Sequence, residues 1–216
     1  MTSPDLTDHR LVAQIRNTTT PVGLTLSDVQ LSLLARHLEL IVKWNRVYNL
    51  TAIRDINTMI SHHLMDSLLV VPYIYGGKIL DVGTGAGLPG IPLAIAYPDK
   101  QFVLIDSVQK KTRFLAQVVM ELGLDNVEIS SQRIEDFAPD MKFDTIISRA
   151  FSTMVKLLQV AGHLCAQQGQ VVFMKGVFPK EELDDVPVGF RLDQVTQLCV
   201  PGVDAERHVA VIKPVL

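Results

Sequence analysis

The stretch Ile79-Leu80-Asp81-Val82-Gly83-Thr84-Gly85-Ala86-Gly87-Leu88-Pro89-Gly90 decides the fold. A short apolar run that stops at a glycine cluster reads as a buried strand entering a tight turn, and Pro89 suits the first turn of a helix because no amide donor is needed there. A second apolar run, Phe102 to Ile105, ends on Asp106, where a carboxylate can accept hydrogen bonds from both hydroxyls of a ribose. Strand, glycine turn, helix and acid-terminated strand together make a site for a ligand that carries adenosine.

Two such ligands compete. Gly85, Gly87 and Gly90 satisfy G-x-G-x-x-G, the dehydrogenase pattern for a nicotinamide dinucleotide. Asp81, near the end of the first strand, argues the other way: it would repel a pyrophosphate but hold the ammonium on the methionine half of S-adenosylmethionine. S-adenosylmethionine is therefore the expected cofactor, with S-adenosylhomocysteine as product. NAD is the alternative, and no metal is expected.

The chain has 216 residues, 48% of them hydrophobic, enough for one well-buried α/β domain with an appended element. A net charge of -3 excludes binding nucleic acid by bulk electrostatics, so an RNA partner must be met by a local basic patch. The two cysteines, Cys165 and Cys199, lie far apart without zinc-site spacing, which fits a reduced cytoplasmic compartment. Met1 to Arg10 carries Asp5, Asp8, His9 and Arg10, so neither a signal peptide nor a membrane anchor is expected.

Residues 1 to 24 are polar, with Thr18 to Pro21 expected to be extended and Leu11, Val12 and Ile15 able to form a short helix. Ser27 opens a longer one: Gln30 completes a capping box, and Leu31, Leu34, Leu38 and Ile41 share a face that Leu33, Leu40, Trp44 and Val47 widen. A further helix is expected over about 57 to 71, capped by Asn57 or Thr58. From Lys78 strands alternate with helices: strands at Lys78 to Val82, Phe102 to Ile105, Val127 to Ser130, Thr145 to Ser148 and Gln170 to Met174, helices near 89 to 97, 109 to 122 and 152 to 166. The turn Pro201 to Asp204 is too short for a crossover helix, so Arg191 to Val200 and His208 to Lys213 must form an antiparallel pair. The expected fold is a Rossmann-like class I methyltransferase sheet, five parallel strands plus a C-terminal antiparallel hairpin, over residues 77–216. Residues 1–76 form a helical extension packed on it.

Several segments are not general features of that fold: Lys43-Trp44-Asn45-Arg46-Val47-Tyr48-Asn49-Leu50-Thr51, His63-Leu64-Met65-Asp66-Ser67, Asp106-Ser107 with Lys110-Lys111, Ser148-Arg149-Ala150-Phe151, and Glu206-Arg207-His208. Together with Asp81 to Pro92 they resemble one family, the bacterial guanine-N7 methyltransferases of small-subunit ribosomal RNA, RsmG or glucose-inhibited division protein B. The resemblance spans nearly the whole chain. It implies methylation of N7 of a specific guanine in a hairpin loop of 16S ribosomal RNA, within the small subunit or an assembly intermediate, by a monomer. A nicotinamide-dependent oxidoreductase and a non-catalytic RNA-binding protein remain the competing readings.

The chemistry agrees with a ring nitrogen. Guanine N7 carries a free lone pair and no proton, so attack on a methyl group needs alignment but no base. Exocyclic amino groups are commonly held by Asn or Asp before Pro-Pro and an aromatic, where this chain has Ser148-Arg149-Ala150-Phe151, and a pyrimidine C5 would require a cysteine nucleophile. Ligands bind outside the carboxyl ends of parallel strands, which gathers Asp81, Gly83, Gly85, Leu88, Asp106, Ser107, Ile134, Glu135 and Arg149 as cofactor residues. Gly83 would meet methionine, Asp106 ribose, and Ile134 with Glu135 adenine, although Asp106 also suits a helix start and Ile134 the core. Leu88 fits either the ligand or the space under the sheet. Arg149 suits the methionine carboxylate, an RNA phosphate or a structural ion pair; the resemblance favours the cofactor for both. His63 and Asp66 share a helix face that either lines the substrate side or serves packing, and His63 with Arg149 are the candidates for substrate positioning. Lys110, Lys111 and Arg113 read as an RNA patch or a solvated face, and Trp44, Tyr48 and Leu50 as the anchor of the extension.

Overall fold

The computed structural model describes residues 9–149 and 151–215; residues 1–8, part of the stretch read above as free of a leader, lie outside them. Helix α1 spans His9–Thr19 and α2 Asp28–Tyr48. The capping box forms as expected: Ser27 Oγ accepts from the Gln30 amide at 3.2 Å while the Ser27 amide donates to Gln30 Oε1 at 2.9 Å. Leu31, Leu34, Leu38 and Ile41 are buried as their spacing requires. Val47 departs from that stripe, being 74% exposed. Thr18 to Pro21 is not extended: α1 runs through Thr19 and a 3-10 turn follows at Thr20–Val22, because the Thr18, Thr19 and Thr20 hydroxyls donate back to carbonyls of the preceding turn.

The second expected helix is α3 Ile56–Met59, a π-helical segment Ile60–Met65 and α4 Asp66–Leu68, ending short of residue 71. Its cap is Asp55 rather than Asn57 or Thr58, since Asp55 Oδ2 accepts from the Thr58 amide at 2.7 Å.

The strands are β1 Lys78–Val82, β2 Gln101–Ile105, β3 Val127–Ser130, β4 Phe143–Ser148, β5 Cys165–Lys175, β6 Phe190–Gln197 and β7 His208–Pro214. They form one sheet in the order β3-β2-β1-β4-β5-β7-β6, with β1 to β5 parallel and β7 antiparallel to both its neighbours. Helices α5 Gly90–Ala96, α6 Gln109–Leu122 and α7 Met154–Ala161 make crossovers, so apolar residues cover both faces. The helix expected to reach 166 stops at Ala161; a 3-10 turn follows, and Cys165 begins β5. A short helix, α8 Lys180–Asp184, was not expected in the link from β5 to β6. β6 ends at Gln197 rather than Val200.

The N-terminal helices lie against this sheet layer through specific contacts. Trp44 packs on Phe114 of α6 and stacks on Tyr48, and Arg36 of α2 pairs with Glu121 of α6. Gln30 Nε2 donates to the Ile95 carbonyl of α5 at 2.9 Å.

Candidate active site

Strand order reverses at β1, which pairs with both β2 and β4, and ligands in open α/β sheets bind at such a point. Beyond β1 the chain turns through Gly83 and Gly85, with φ of 72° and 62°, a region closed to most side chains. No atom lies within 4 Å of where a Gly83 Cβ would stand, which leaves room for a ligand against the backbone. Gly90 serves another purpose: a Cβ there would collide with Leu104. Its amide donates to Asp81 Oδ2 at 2.9 Å, fixing the start of α5 on β1. Asp81 is wholly buried, and burial pushes its carboxyl up to about 6. Its Oδ1 has no hydrogen-bond partner among the described residues.

Asp106 ends β2 and binds the turn to α6. The Gly85 amide donates to its Oδ2 at 3.1 Å, the Lys111 ammonium to the same oxygen at 3.2 Å, and the Val108 amide to Oδ1 at 2.9 Å. A carboxylate oxygen accepts two hydrogen bonds, so Oδ1 keeps capacity for a ligand hydroxyl.

A cleft of about 320 Å³ opens at these strand ends. Gly83, Asp106, Ser107, Ile134 and Glu135 line it, joined by Val82, Ile105, Gln132, Arg133, Phe151, Ser152 and Lys156, roles the sequence did not assign. Phe151 was legible only as part of the Ser148 to Phe151 segment; the others carry no local signal. Four expected cofactor residues do not line it. Asp81 and Gly85 belong to the turn's support. Leu88 is 2% exposed and packs in the core on one sheet face, and Arg149 faces elsewhere.

Arg149 lines a second cleft of about 330 Å³ at the ends of β4 and β5, with His62, His63, Asp66, Lys175, Arg207 and His208. Arg149 Nη1 lies 3.6 Å from Asp66 Oδ2, and Arg207 Nε donates to Asp66 Oδ1 at 3.2 Å. Burial pushes the Asp66 carboxyl up and the Arg149 guanidinium down, while their attraction opposes both shifts. His63 is 5% exposed, with Nε2 2.8 Å from Thr51 Oγ1; burial and the charge of Arg149 bring it down to about 4. Asn45 organises this corner. Its Nδ2 donates to the Thr51 carbonyl at 2.9 Å and its Oδ1 accepts from the Thr51 amide at 3.0 Å.

A residue the sequence did not single out holds the glycine turn. His37 of α2 is fully buried, with Nε2 3.0 Å from the Ala86 carbonyl oxygen, and burial lowers it to about 4. At neutral pH the ring is uncharged and Nε2 donates, since a carbonyl only accepts. Lys110 and Arg113 are exposed on α6, whereas Lys111 is engaged by Asp106. Cys165 is buried at the first residue of β5, its thiol pushed up to about 12, and Cys199 is exposed; neither lines either cleft. Among the described residues no group of three or more His, Cys, Asp or Glu stands together to hold a metal, and no helix is long and apolar enough to cross a membrane.

This sheet order, with its glycine turn and acid-ended second strand, is the fold of S-adenosylmethionine-dependent methyltransferases. A methyltransferase from Aquifex aeolicus superposes with a TM-score of 0.55 at 21% identity over 72% of this chain and 92% of that one. The glycopeptide N-methyltransferase MtfA in complex with S-adenosylhomocysteine gives 0.57 at 10% identity over 71% and 87%. Residues 30–210 match the family model GidB, rRNA small subunit methyltransferase G, and the chain belongs to that family. Ribosomal RNA small subunit methyltransferase G of Chromobacterium violaceum is 50% identical over 198 residues, 91% of this chain and 95% of the relative. That of Laribacter hongkongensis is 49% identical over 188 residues, 87% and 91%.

Proposed function

We propose that the protein transfers a methyl group from S-adenosylmethionine to N7 of a guanine in 16S ribosomal RNA of the small subunit, releasing S-adenosylhomocysteine. The observation that carries this reading is the pairing of two clefts on one sheet edge. The link from β4 to α7 divides them, with Arg149 in one and Phe151 and Ser152 in the other. The first cleft suits the cofactor: the space beside Gly83, the spare lone pair of Asp106 Oδ1 and the apolar Ile134 match a methionine backbone, a ribose and an adenine.

When bound, S-adenosylmethionine supplies an electrophilic methyl group on a sulfonium. The chain's part is to align the acceptor and exclude water, because N7 has no proton to lose. Buried Asp81 beneath the turn offers negative potential for the methionine ammonium. Neither cysteine stands at a cleft, which supports a direct displacement over a covalent intermediate. A family name that specifies small-subunit ribosomal RNA supports the substrate class. The described part of residues 1–76 acts as an extension that depends on the sheet layer for its burial, and the protein works as a cytoplasmic monomer.

Incubating unmethylated small subunits with tritiated S-adenosylmethionine, then digesting the RNA to nucleosides, tests the reaction. Label should appear in 7-methylguanosine, mapped by reduction and aniline cleavage, and the Cys165→Ser and Cys199→Ser variants should retain turnover. Label in methylcytosine or methyladenine alone, or a covalent RNA adduct on a cysteine, would overturn it.

A further inference from the structure

The second cleft carries more cationic charge than its own residues match. Arg149 and Arg207 both converge on one carboxylate, Asp66, at side-chain exposures of 26%, 23% and 7%. Lys175 is balanced by Glu182, both of whose oxygens lie 2.9 Å from its ammonium. Each guanidinium has five N–H donors, of which the contacts with Asp66 and the Glu206 carbonyl use only some, so donors remain for an anion in this partly dehydrated recess. Beneath its surface lie unspent hydrogen-bonding groups: His63 Nδ1 and His208 Nδ1 are buried, in side chains 5% and 6% exposed, and neither has a partner among the described residues.

We propose that this cleft receives the target nucleotide through its phosphodiester group, held by Arg149 and Arg207, with Asp66 as the positioning residue that keeps the two guanidiniums converged. Without Asp66 the like charges of Arg149 and Arg207 repel, and the fork that would grip two phosphate oxygens opens. Each member is set at the end of, or within, a regular element: Arg149 follows β4, Arg207 precedes β7, and Asp66 sits on α4. Arg149 lines this cleft while Phe151 and Ser152, two and three residues on, line the first, which places the phosphate grip beside the methyl site.

This inference rests on the methyltransferase reading above. Asp66→Asn, Asp66→Glu and Arg207→Gln are compared with the natural protein, using unmethylated small subunits and tritiated S-adenosylmethionine. Asp66→Asn and Arg207→Gln should each raise KM for the subunit about tenfold or more, with S-adenosylmethionine affinity by calorimetry within about twofold. Asp66→Glu should recover most of the loss. Arg207→Gln should also flatten the dependence of log KM on log salt by about one, the mark of a lost phosphate contact. If Asp66→Asn fails to fold, Arg207→Gln gives the same readouts. Unchanged KM and salt slope in these variants, beside normal methylation by the natural protein, would overturn the cleft assignment alone. Cofactor affinity falling in step with rising KM would assign the cluster to the first cleft and overturn it likewise. No label in RNA from the natural protein would remove the functional reading, and this inference with it.

Discussion

His37 and Ala86 meet across the boundary between the N-terminal helices and the sheet layer, His37 Nε2 lying 3.0 Å from the Ala86 carbonyl oxygen inside a fully buried environment. The glycine turn is thus held from outside its own strand and helix. His37→Ala should remove that donor, strand a buried carbonyl and open a void, at a cost of roughly 2 to 4 kcal/mol of stability. Because the void adjoins Ala86, S-adenosylmethionine affinity should fall as well. Chemical denaturation and calorimetry together check this; lost stability with cofactor affinity unchanged would make the contact a packing feature only.

Acid should destabilise the protein before its carboxylates are generally protonated. His37 and His63 are both lowered from 6.5 to about 4, so between those values the unfolded chain binds protons that the folded chain refuses. Stability from each is fully present above about pH 6.5 and is lost as pH falls toward 4, by roughly 3 kcal/mol each. Asp81 acts in the opposite sense, since its carboxyl is raised from 3.8 to about 6 and the folded state takes up its proton first. Asp66, also raised by burial, adds to that opposing side, and the two histidines together leave a net loss over the window. Urea midpoints at pH 7 and 4.5 measure it, and His37→Gln should flatten the difference; equal midpoints would show that the two rings are not held neutral.

The basic residues of α6 should separate into two roles. Lys111 pairs with Asp106 at 3.2 Å, while Lys110 and Arg113 are exposed. Asp106→Ala should weaken S-adenosylmethionine by roughly 1.5 to 3 kcal/mol, through loss of charge-assisted bonds and of the Gly85 tether, and Lys111→Ala should weaken it by less. Replacing Lys110 and Arg113 together should spare the cofactor and make subunit KM less salt-sensitive. Calorimetry and a salt series distinguish them; a double variant that loses the cofactor would merge the two roles.

The sheet was legible because its strands are short apolar runs broken by turn residues: β1, β3 and α6 begin and end where the pattern says. β5 was read short because Gln167, Gln168 and Gly169 interrupt its apolar pattern, although the backbone stays extended through them. Side-chain direction at a strand end was not legible. Arg149 leaves β4 at the expected edge yet turns toward Asp66, and Asp66 belongs to a helix whose π segment shifts the register that 3.6-residue spacing assumes. Leu88 could not be assigned from a turn sequence that serves ligand and core alike. His37 escaped because a histidine among leucines gives no periodic signal of its own; only the Ala86 carbonyl that it bonds explains it.

β7 follows β6 in the chain but lies between β6 and β5, so among the described residues β6 has no sheet neighbour except β7. Arg207 and His208 stand at the start of that inserted strand, whereas Gly83, Asp106 and Ile134 hang from β1, β2 and the turn after β3. The two halves of the edge therefore hang from strands on opposite sides of the sheet's reversal at β1. β7 is buried through Val209, Ala210, Val211 and Ile212 and paired on both sides, so local opening is confined to the edge strand β6 and leaves both clefts their walls. Amide exchange should accordingly run fast along β6 and slow along β7, its neighbour one strand further in.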